Sequence, residues 1–204
     1  MAVDLGAQFG AIDIYLFDQL LKGRIAPGDR VLDAGCGGGR NLVYLLRGGW
    51  DVYGVDQNPG ASDEVRALAA PLAPWLPADH FRVAAVEATG HADAAFDVVL
   101  CSAVLHFARD HAQFDAMVRE LWRVLRPGGV LFCRLASTIG LETRVVALGN
   151  GRYRIPDGTE RYLVDEADLM RRTMEAGGQL LDPLKTTIVQ DQRSMTTWVV
   201  RKAG

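Results

Sequence analysis

The stretch Val31-Leu32-Asp33-Ala34-Gly35-Cys36-Gly37-Gly38-Gly39-Arg40-Asn41 holds the residues whose types and spacing speak most directly of chemistry. A short apolar run ends in an acid, and four glycines in five positions follow. Glycine lacks a Cβ and tolerates positive φ, so such a turn lets a ligand lie against the backbone. The dinucleotide fingerprint G-x-G-x-x-G needs a glycine three places after Gly37, where this chain has Arg40. What stands here is D-x-G-x-G-x-G. A second acid, Asp56, lies 19 residues beyond Gly37 and ends the run Asp51-Val52-Tyr53-Gly54-Val55-Asp56. Farther on, Ser102-Ala103-Val104-Leu105-His106-Phe107 offers an imidazole, a group that titrates near neutrality and can act as a base or orient a ligand. Packing of that ring against a loop carbonyl is the plainer alternative. His80, His91 and His111 are assigned to surface or loop positions. The three cysteines, Cys36, Cys101 and Cys133, fit no metal-binding spacing, so no metal is expected.

These groups need a scaffold that brings strand ends together. Short apolar runs alternate with helical patterns, the signature of a parallel α/β sheet. Residues 30–34, 51–56, 80–86, 96–102 and 128–135 read as five strands. The runs Asp97-Val98-Val99-Leu100-Cys101 and Val130-Leu131-Phe132-Cys133 are apolar almost throughout, as befits strands covered on both faces. Helical patterns fall near 38–48, 60–70 and 110–125. The last carries Phe114, Met117, Val118, Leu121, Trp122 and Leu125 on one stripe and stops at the breaker Arg126-Pro127-Gly128-Gly129. A helix is expected from about Phe9 to Leu21, and another at 165–176. Residues 180–190 and 194–201 read as a closing hairpin. Between strand five and the helix at 165–176 lies 137–163, rich in glycine, arginine and tyrosine, which is either a solvated excursion or a pocket wall.

Composition narrows the function. The chain has 204 residues, one domain's worth, with 49% apolar and 23% charged residues. Its net charge is −3, and no run of Lys or Arg forms a basic stripe, which argues against a dedicated nucleic-acid surface. A small basic pocket for an anionic substrate stays open. The cysteines sit in or beside apolar runs as buried thiols, which suits the cytoplasm. No signal peptide is evident at Met1-Ala2-Val3-Asp4, and no apolar stretch approaches the ~20 residues of a membrane span.

The glycine turn with Asp33, together with Asp56, resembles motifs I and II of the class I S-adenosylmethionine-dependent methyltransferases, over roughly Arg30 to Leu135. The resemblance implies a three-layer Rossmann-like fold with a seven-stranded, mostly parallel sheet whose last strand is antiparallel. It implies S-adenosyl-L-methionine as cofactor and S-adenosyl-L-homocysteine as product. The glycine turn would lie under the methionine part and ribose, and Asp56 would hold the ribose hydroxyls. The expected cofactor-binding set is Asp33, Gly35, Cys36, Gly37, Gly39, Asn41, Asp56, Gln57, Glu87, Ala88 and Ser102. Glu87 enters as the acid nearest the place where the family faces the adenine amino group. The stretch 102–107 resembles motif IV of the small-molecule branch rather than the N/D-P-P-Y/F form of many nucleic-acid and protein enzymes, which counts against flipped-base chemistry. His106 is the catalytic candidate, and Tyr15, His106, Arg144 and Tyr153 are candidates for substrate contact. A single domain is expected over 1–204, with an N-terminal lid helix at about 7–22 and a substrate-side insertion at about 137–163. Gly37-Gly38-Gly39-Arg40-Asn41 with Tyr44-Leu45 is also similar to the tellurite-resistance group of the family.

Methyl transfer from a sulfonium is an in-line displacement, so such an enzyme mainly aligns its reactants and excludes water. A base is needed only when the acceptor must lose a proton. Three readings follow: a methyltransferase acting on a small molecule, a degenerate fold that binds a nucleoside ligand or a partner without turnover as a binding or regulatory module, and a nucleotide-linked oxidoreductase, against which Arg40 speaks. The acceptor atom and the oligomeric state are not legible in the sequence.

Overall fold

The computed structural model describes residues 4–204. Two short helices come first, α1 (Leu5–Phe9) and α2 (Ile14–Leu21). The chain then alternates β1 (Arg30–Ala34), α3 (Val43–Gly48), β2 (Asp51–Asp56), α4 (Pro59–Leu72), β3 (Phe81–Val83), β4 (Phe96–Ser102), α5 (His111–Val124) and β5 (Leu125–Ala136). A small excursion follows, β6 (Val146–Gly149), β7 (Arg152–Arg154) and β8 (Glu160–Tyr162). The chain closes with α6 (Glu166–Glu175), β9 (Gly178–Leu180), β10 (Lys185–Val189) and β11 (Arg193–Lys202).

The main sheet runs β10-β11-β5-β4-β1-β2-β3, with β9 paired to β11 off this path. The pairs among β1 to β5 are parallel, and β11 runs antiparallel to both neighbours. This is the arrangement the resemblance implied. Alternation along the strands explains why both faces are covered. Leu32, Val99, Cys101, Leu131 and Cys133 turn to the side of α5 and α6. Val31, Val98, Leu100, Phe132 and Val199 turn to the side of α2, α3 and α4. Each such large side chain contributes about 1.5–3 kcal/mol by leaving water.

Three local differences from the sequence reading have physical causes. The helix expected at 38–48 begins only at Val43, because Gly35, Gly37 and Gly39 all hold positive φ and spend those residues on a turn. The N-terminal helix is two helices, broken at Gly10, where φ is +62° and a Cβ would sit 2.7 Å from Val43 Cγ2. Asp13 then restarts the helix as an N-cap, its carboxylate accepting from Tyr15 N at 2.9 Å. The segment Arg126–Gly129 ends α5 but does not delay β5. It bulges out between the pairs Phe96–Leu125 and Val98–Val130, and a Cβ on Gly129 would meet the Asp97 carbonyl at 2.8 Å.

The segment 137–163 carries the antiparallel strands β6, β7 and β8. Tyr162 anchors it by stacking on Phe114 of α5, with centroids 4.4 Å apart. Ile155 and Leu163 pack with Ala136 of β5. The excursion therefore stands over the carboxyl end of β5.

Candidate functional site

The order β3-β2-β1-β4-β5 places a topological switch between β1 and β4, and crevices in such sheets open outside the carboxyl ends of the strands there. A cavity of about 300 Å³ occupies that place. Its walls are Gly35 after β1, Asp56 and Gln57 at the end of β2, Val86 and Glu87 after β3, and Ser102, Ala103 and Val104 at the end of β4. Gln113 and Met117 of α5 close it from outside.

The glycine turn is clamped to β2. Gly35 N and Cys36 N both donate to the Val55 carbonyl, at 2.7 and 3.0 Å. Gly37 N donates to Asp56 Oδ2 at 3.0 Å, while Asn58 N donates to Oδ1 at 2.9 Å. Two amides thus fix the carboxylate, and an ionised carboxylate still has about two acceptor positions left for a ligand. A Cβ on Gly37 would meet nothing within 4 Å, so this backbone faces open space. A Cβ on Gly39 would meet Val65 and Leu68 at 2.8–2.9 Å, so that glycine serves close packing against α4.

Asp33, the residue before the last of β1, is only 2% exposed, and no protein donor bonds its carboxylate among the described residues. Burial pushes its pKa up to about 7, with Arg40 opposing the shift and Asp56 adding to it. Cys36 is a free buried thiol packed against Gly54, and burial raises its pKa far from the reactive range. Asn41 turns its Oδ1 to Asp13 N at 3.0 Å, which makes it a brace for the N-terminal segment. Ala88 is tied into a turn, its amide on the Ala85 carbonyl. Glu87 reaches Gln113 Nε2 at 2.8 Å, and Arg40 approaches Ser102 Oγ at 3.5 Å.

A second cavity of about 450 Å³ adjoins the first and shares Ala103 and Phe107 as walls. Ala103 sits at φ +63°, a left-handed conformation rarely held by a residue with a Cβ and typical of functional turns. His106 also lines this second cavity and is 6% exposed. Its Nδ1 accepts the Ala136 amide at 3.3 Å. Burial, then the charges of Arg161 and Arg134, lower its pKa to about 4. The ring is therefore neutral at pH 7, with its proton on Nε2.

Of the expected substrate contacts, Tyr15 is not on the wall of either cavity. Its hydroxyl is 2.6 Å from Thr187 Oγ1, and the Arg134 guanidinium stands 5.6 Å from its ring centre. Arg144 pairs with Asp191 at 3.2 Å and is not on the wall. Tyr153 lines a different depression, with His111 and Tyr162. Sequence reading missed Val86, Val104, Gln113 and Met117, which carry only the apolar or helical pattern of core positions. It also missed Asp13, a buried acid that the single helix expected from Phe9 to Leu21 runs straight through. His80 and His91 lie partly buried in the connections before and after β3, and His111 is exposed at the start of α5, as the surface-or-loop reading expected. His80 stacks on Tyr53 at 3.9 Å, His91 meets Phe96 edge-on, and His111 Nδ1 bonds Tyr162 Oη at 2.8 Å.

Comparison with known proteins sets this geometry in context. The family profile described as "Methyltransferase domain" matches residues 32–133, half of the chain. The chain is 37% identical over 112 residues to a malonyl-[acyl-carrier protein] O-methyltransferase of Serratia marcescens, covering 54% of this chain and 40% of that one. It is 36% identical over 160 residues to a ubiquinone biosynthesis O-methyltransferase of Psychrobacter arcticus, covering 74% and 59%. The chain thus spans about half the length of these curated relatives. Among solved structures it is similar in fold to the 1,6-didemethyltoxoflavin-N1-methyltransferase of Burkholderia thailandensis, solved with bound 1,6-didemethyltoxoflavin and S-adenosylhomocysteine. That match has a TM-score of 0.69 and 21% identity, and covers 98% of this chain and 82% of the other. Among the described residues, no helix is long and apolar enough to cross a membrane, and no cluster of metal-ligating side chains occurs.

Proposed function

Because this chain belongs to the methyltransferase domain family, we propose that it moves a methyl group from S-adenosyl-L-methionine to a small-molecule acceptor. The observation that carries the reading is the cavity at the strand ends, where an amide-clamped Asp56 meets the open backbone of Gly37.

The donor set fits the cofactor. Asp56 presents two fixed oxygens, a match for a vicinal diol. Gly37 offers backbone with room above it. Val86, Val104 and Met117 form apolar walls beside the polar ends of Glu87 and Gln113, which suits a flat base with an exocyclic amine. Asp33 is a buried carboxylate without a protein donor among the described residues, the partner an ammonium group would need. When bound, the cofactor supplies a methyl already activated on a sulfonium. The chain's own part is to hold the reactants in line and keep water out, effects of several kcal/mol. Phe107 and Val104 screen the cavity, and Ala103 keeps the shared wall thin. His106, with Nδ1 occupied and Nε2 protonated, is a hydrogen-bond donor that orients an acceptor rather than a base that deprotonates it.

Calorimetry tests this reading. S-adenosylhomocysteine should bind at one site, and nicotinamide dinucleotides should give no heat. The affinity should also depend on pH. Asp33 is an acid whose pKa in the free protein lies near 7, so below that pH it carries a proton, and pairing with a cationic amine expels it. Affinity is therefore expected to fall roughly tenfold per pH unit below about 7 and to level off above it. Asp33→Asn should flatten this profile. A pH-independent affinity in the native chain would remove Asp33 from the contact.

A further inference from the structure

The second cavity is strongly cationic. Four arginines line it, Arg40, Arg134, Arg161 and Arg193, against one carboxylate, Asp157. They come from four places in the chain: the glycine turn, β5, β8 and the first residue of β11. The carboxylate of Asp157 is already engaged by Thr159 N and Oγ1, at 2.9 and 2.6 Å.

Arg134 and Arg161 are held in place. Arg134 Nη1 donates to the buried carboxylate of Asp13 at 2.9 Å, while its own Nε is buried and bonds no protein atom among the described residues. Arg40 stands 3.9 Å from the same carboxylate. The Arg161 guanidinium lies 5.0 Å from the Phe107 ring centre and is steadied by the Glu160 carbonyl at 2.7 Å. Arg161 and Arg193 form no ion pair among the described residues. Asp13, paired with Arg134, and Asp157, which faces Arg161 and Arg193, offset about two of the four positive charges, so the cavity keeps a surplus. Such a surplus inside a walled depression is unfavourable unless solvent or an anion answers it, and guanidinium groups suit planar or tetrahedral oxyanions. The cavity adjoins the first across Ala103 and Phe107, so a molecule held there has its near end at the shared wall.

We propose that the methyl acceptor is a small oxyanion, a carboxylate or phosphate ester, bound by Arg40, Arg134, Arg161 and Arg193, with His106 Nε2–H as a further donor. The assignment rests on the methyltransferase reading, since it names the substrate class of that site. With Nδ1 taken up by the Ala136 amide, the group that His106 has left to offer the cavity is the Nε2–H donor, which an anionic acceptor can accept from.

The test is calorimetry on the full chain at constant ionic strength, with citrate, inorganic phosphate and the neutral trimethyl citrate as probes. At least one of the two anions should bind with a Kd of about 1 mM or tighter, and trimethyl citrate should not. Arg161→Gln/Arg193→Gln should weaken the anion about tenfold, and Arg161→Lys/Arg193→Lys should restore part of the loss. Arg109→Gln, which removes an exposed arginine outside the cavity, should change nothing. Tighter binding of phosphate points to a phosphate-bearing acceptor, and tighter binding of citrate to a carboxylate. Binding of neither anion, equal binding of trimethyl citrate, or an unchanged affinity in the Gln pair would overturn the proposal. S-adenosylhomocysteine, titrated into the native chain, separates the two claims. If it binds and the anions do not, the acceptor assignment alone fails. If the anions bind and it does not, the methyltransferase reading fails while the anion cavity stands.

Discussion

Asp56→Ala is expected to weaken S-adenosylhomocysteine binding by about 100-fold or more. Hydrogen bonds to a charged group contribute about 1.5–3 kcal/mol each, and a diol would form two. The wild-type carboxylate is already oriented by Gly37 N and Asn58 N, so little ordering is required on binding. The variant loses the ligand contacts and also releases the Gly37 amide that helps shape the turn. Asp56→Asn keeps one acceptor oxygen and turns the other into a donor, so it should fall between, about tenfold weaker than wild type. Calorimetry reads both, and circular dichroism checks that the fold survives, because Asp56 is a strand-end residue at the mouth and not a core residue. Wild-type affinity in the alanine variant would mean that the ribose lies elsewhere.

Asp13→Ala is expected to cost about 3–5 kcal/mol of stability, the range seen when one partner of a buried ion pair is removed. The residue is 6% exposed, caps α2 and holds Arg134 across 121 positions of sequence. Truncation leaves the Arg134 guanidinium without its partner while its Nε stays buried. In a domain of this size the melting temperature should drop by about 10 °C. The cap and the ion pair share one carboxylate, so their separate losses do not simply add. Asp13→Ala/Arg134→Met removes the stranded charge as well and should recover much of the loss. Differential scanning calorimetry separates the cases. A single variant as stable as wild type would show that water screens this pair.

What could be read in the sequence was what is local. The glycine turn was legible because glycine spacing and the strand before it lie within eleven consecutive residues. Its exclusion from the dinucleotide class rested on one residue, Arg40. The parallel α/β class followed from alternating elements, the antiparallel last strand from the resemblance, and the two-sided burial of β4 and β5 from their unbroken apolar runs. The break at Gly10 was hidden because the apolar stripe runs through Ile12, Leu16 and Leu20 without showing that Gly10 needs positive φ. The bulge at 126–129 was hidden because a Pro-Gly-Gly run signals a break but not that the strand pairs on either side of it. The cationic cavity was illegible for a different reason. Its arginines are spread from 40 to 193, and the sheet order that puts β11 beside β5 is what gathers them. Net charge hid it further, since −3 over the whole chain says nothing of one depression. Asn41 and Cys36 stand in the turn as the motif places them, yet their side chains brace Asp13 and fill space against Gly54.

The central claim is methyl transfer at the junction of the glycine turn and Asp56. The most direct measurement supplies the protein with methyl-labelled S-adenosylmethionine and an extract of small molecules, then follows label and S-adenosylhomocysteine together by mass spectrometry. The account predicts labelled small-molecule product in step with S-adenosylhomocysteine, concentrated among anionic compounds or their methyl esters, and no transfer by Asp56→Ala. Tight cofactor binding with no label moved to any acceptor, or undiminished transfer by Asp56→Ala, would contradict it.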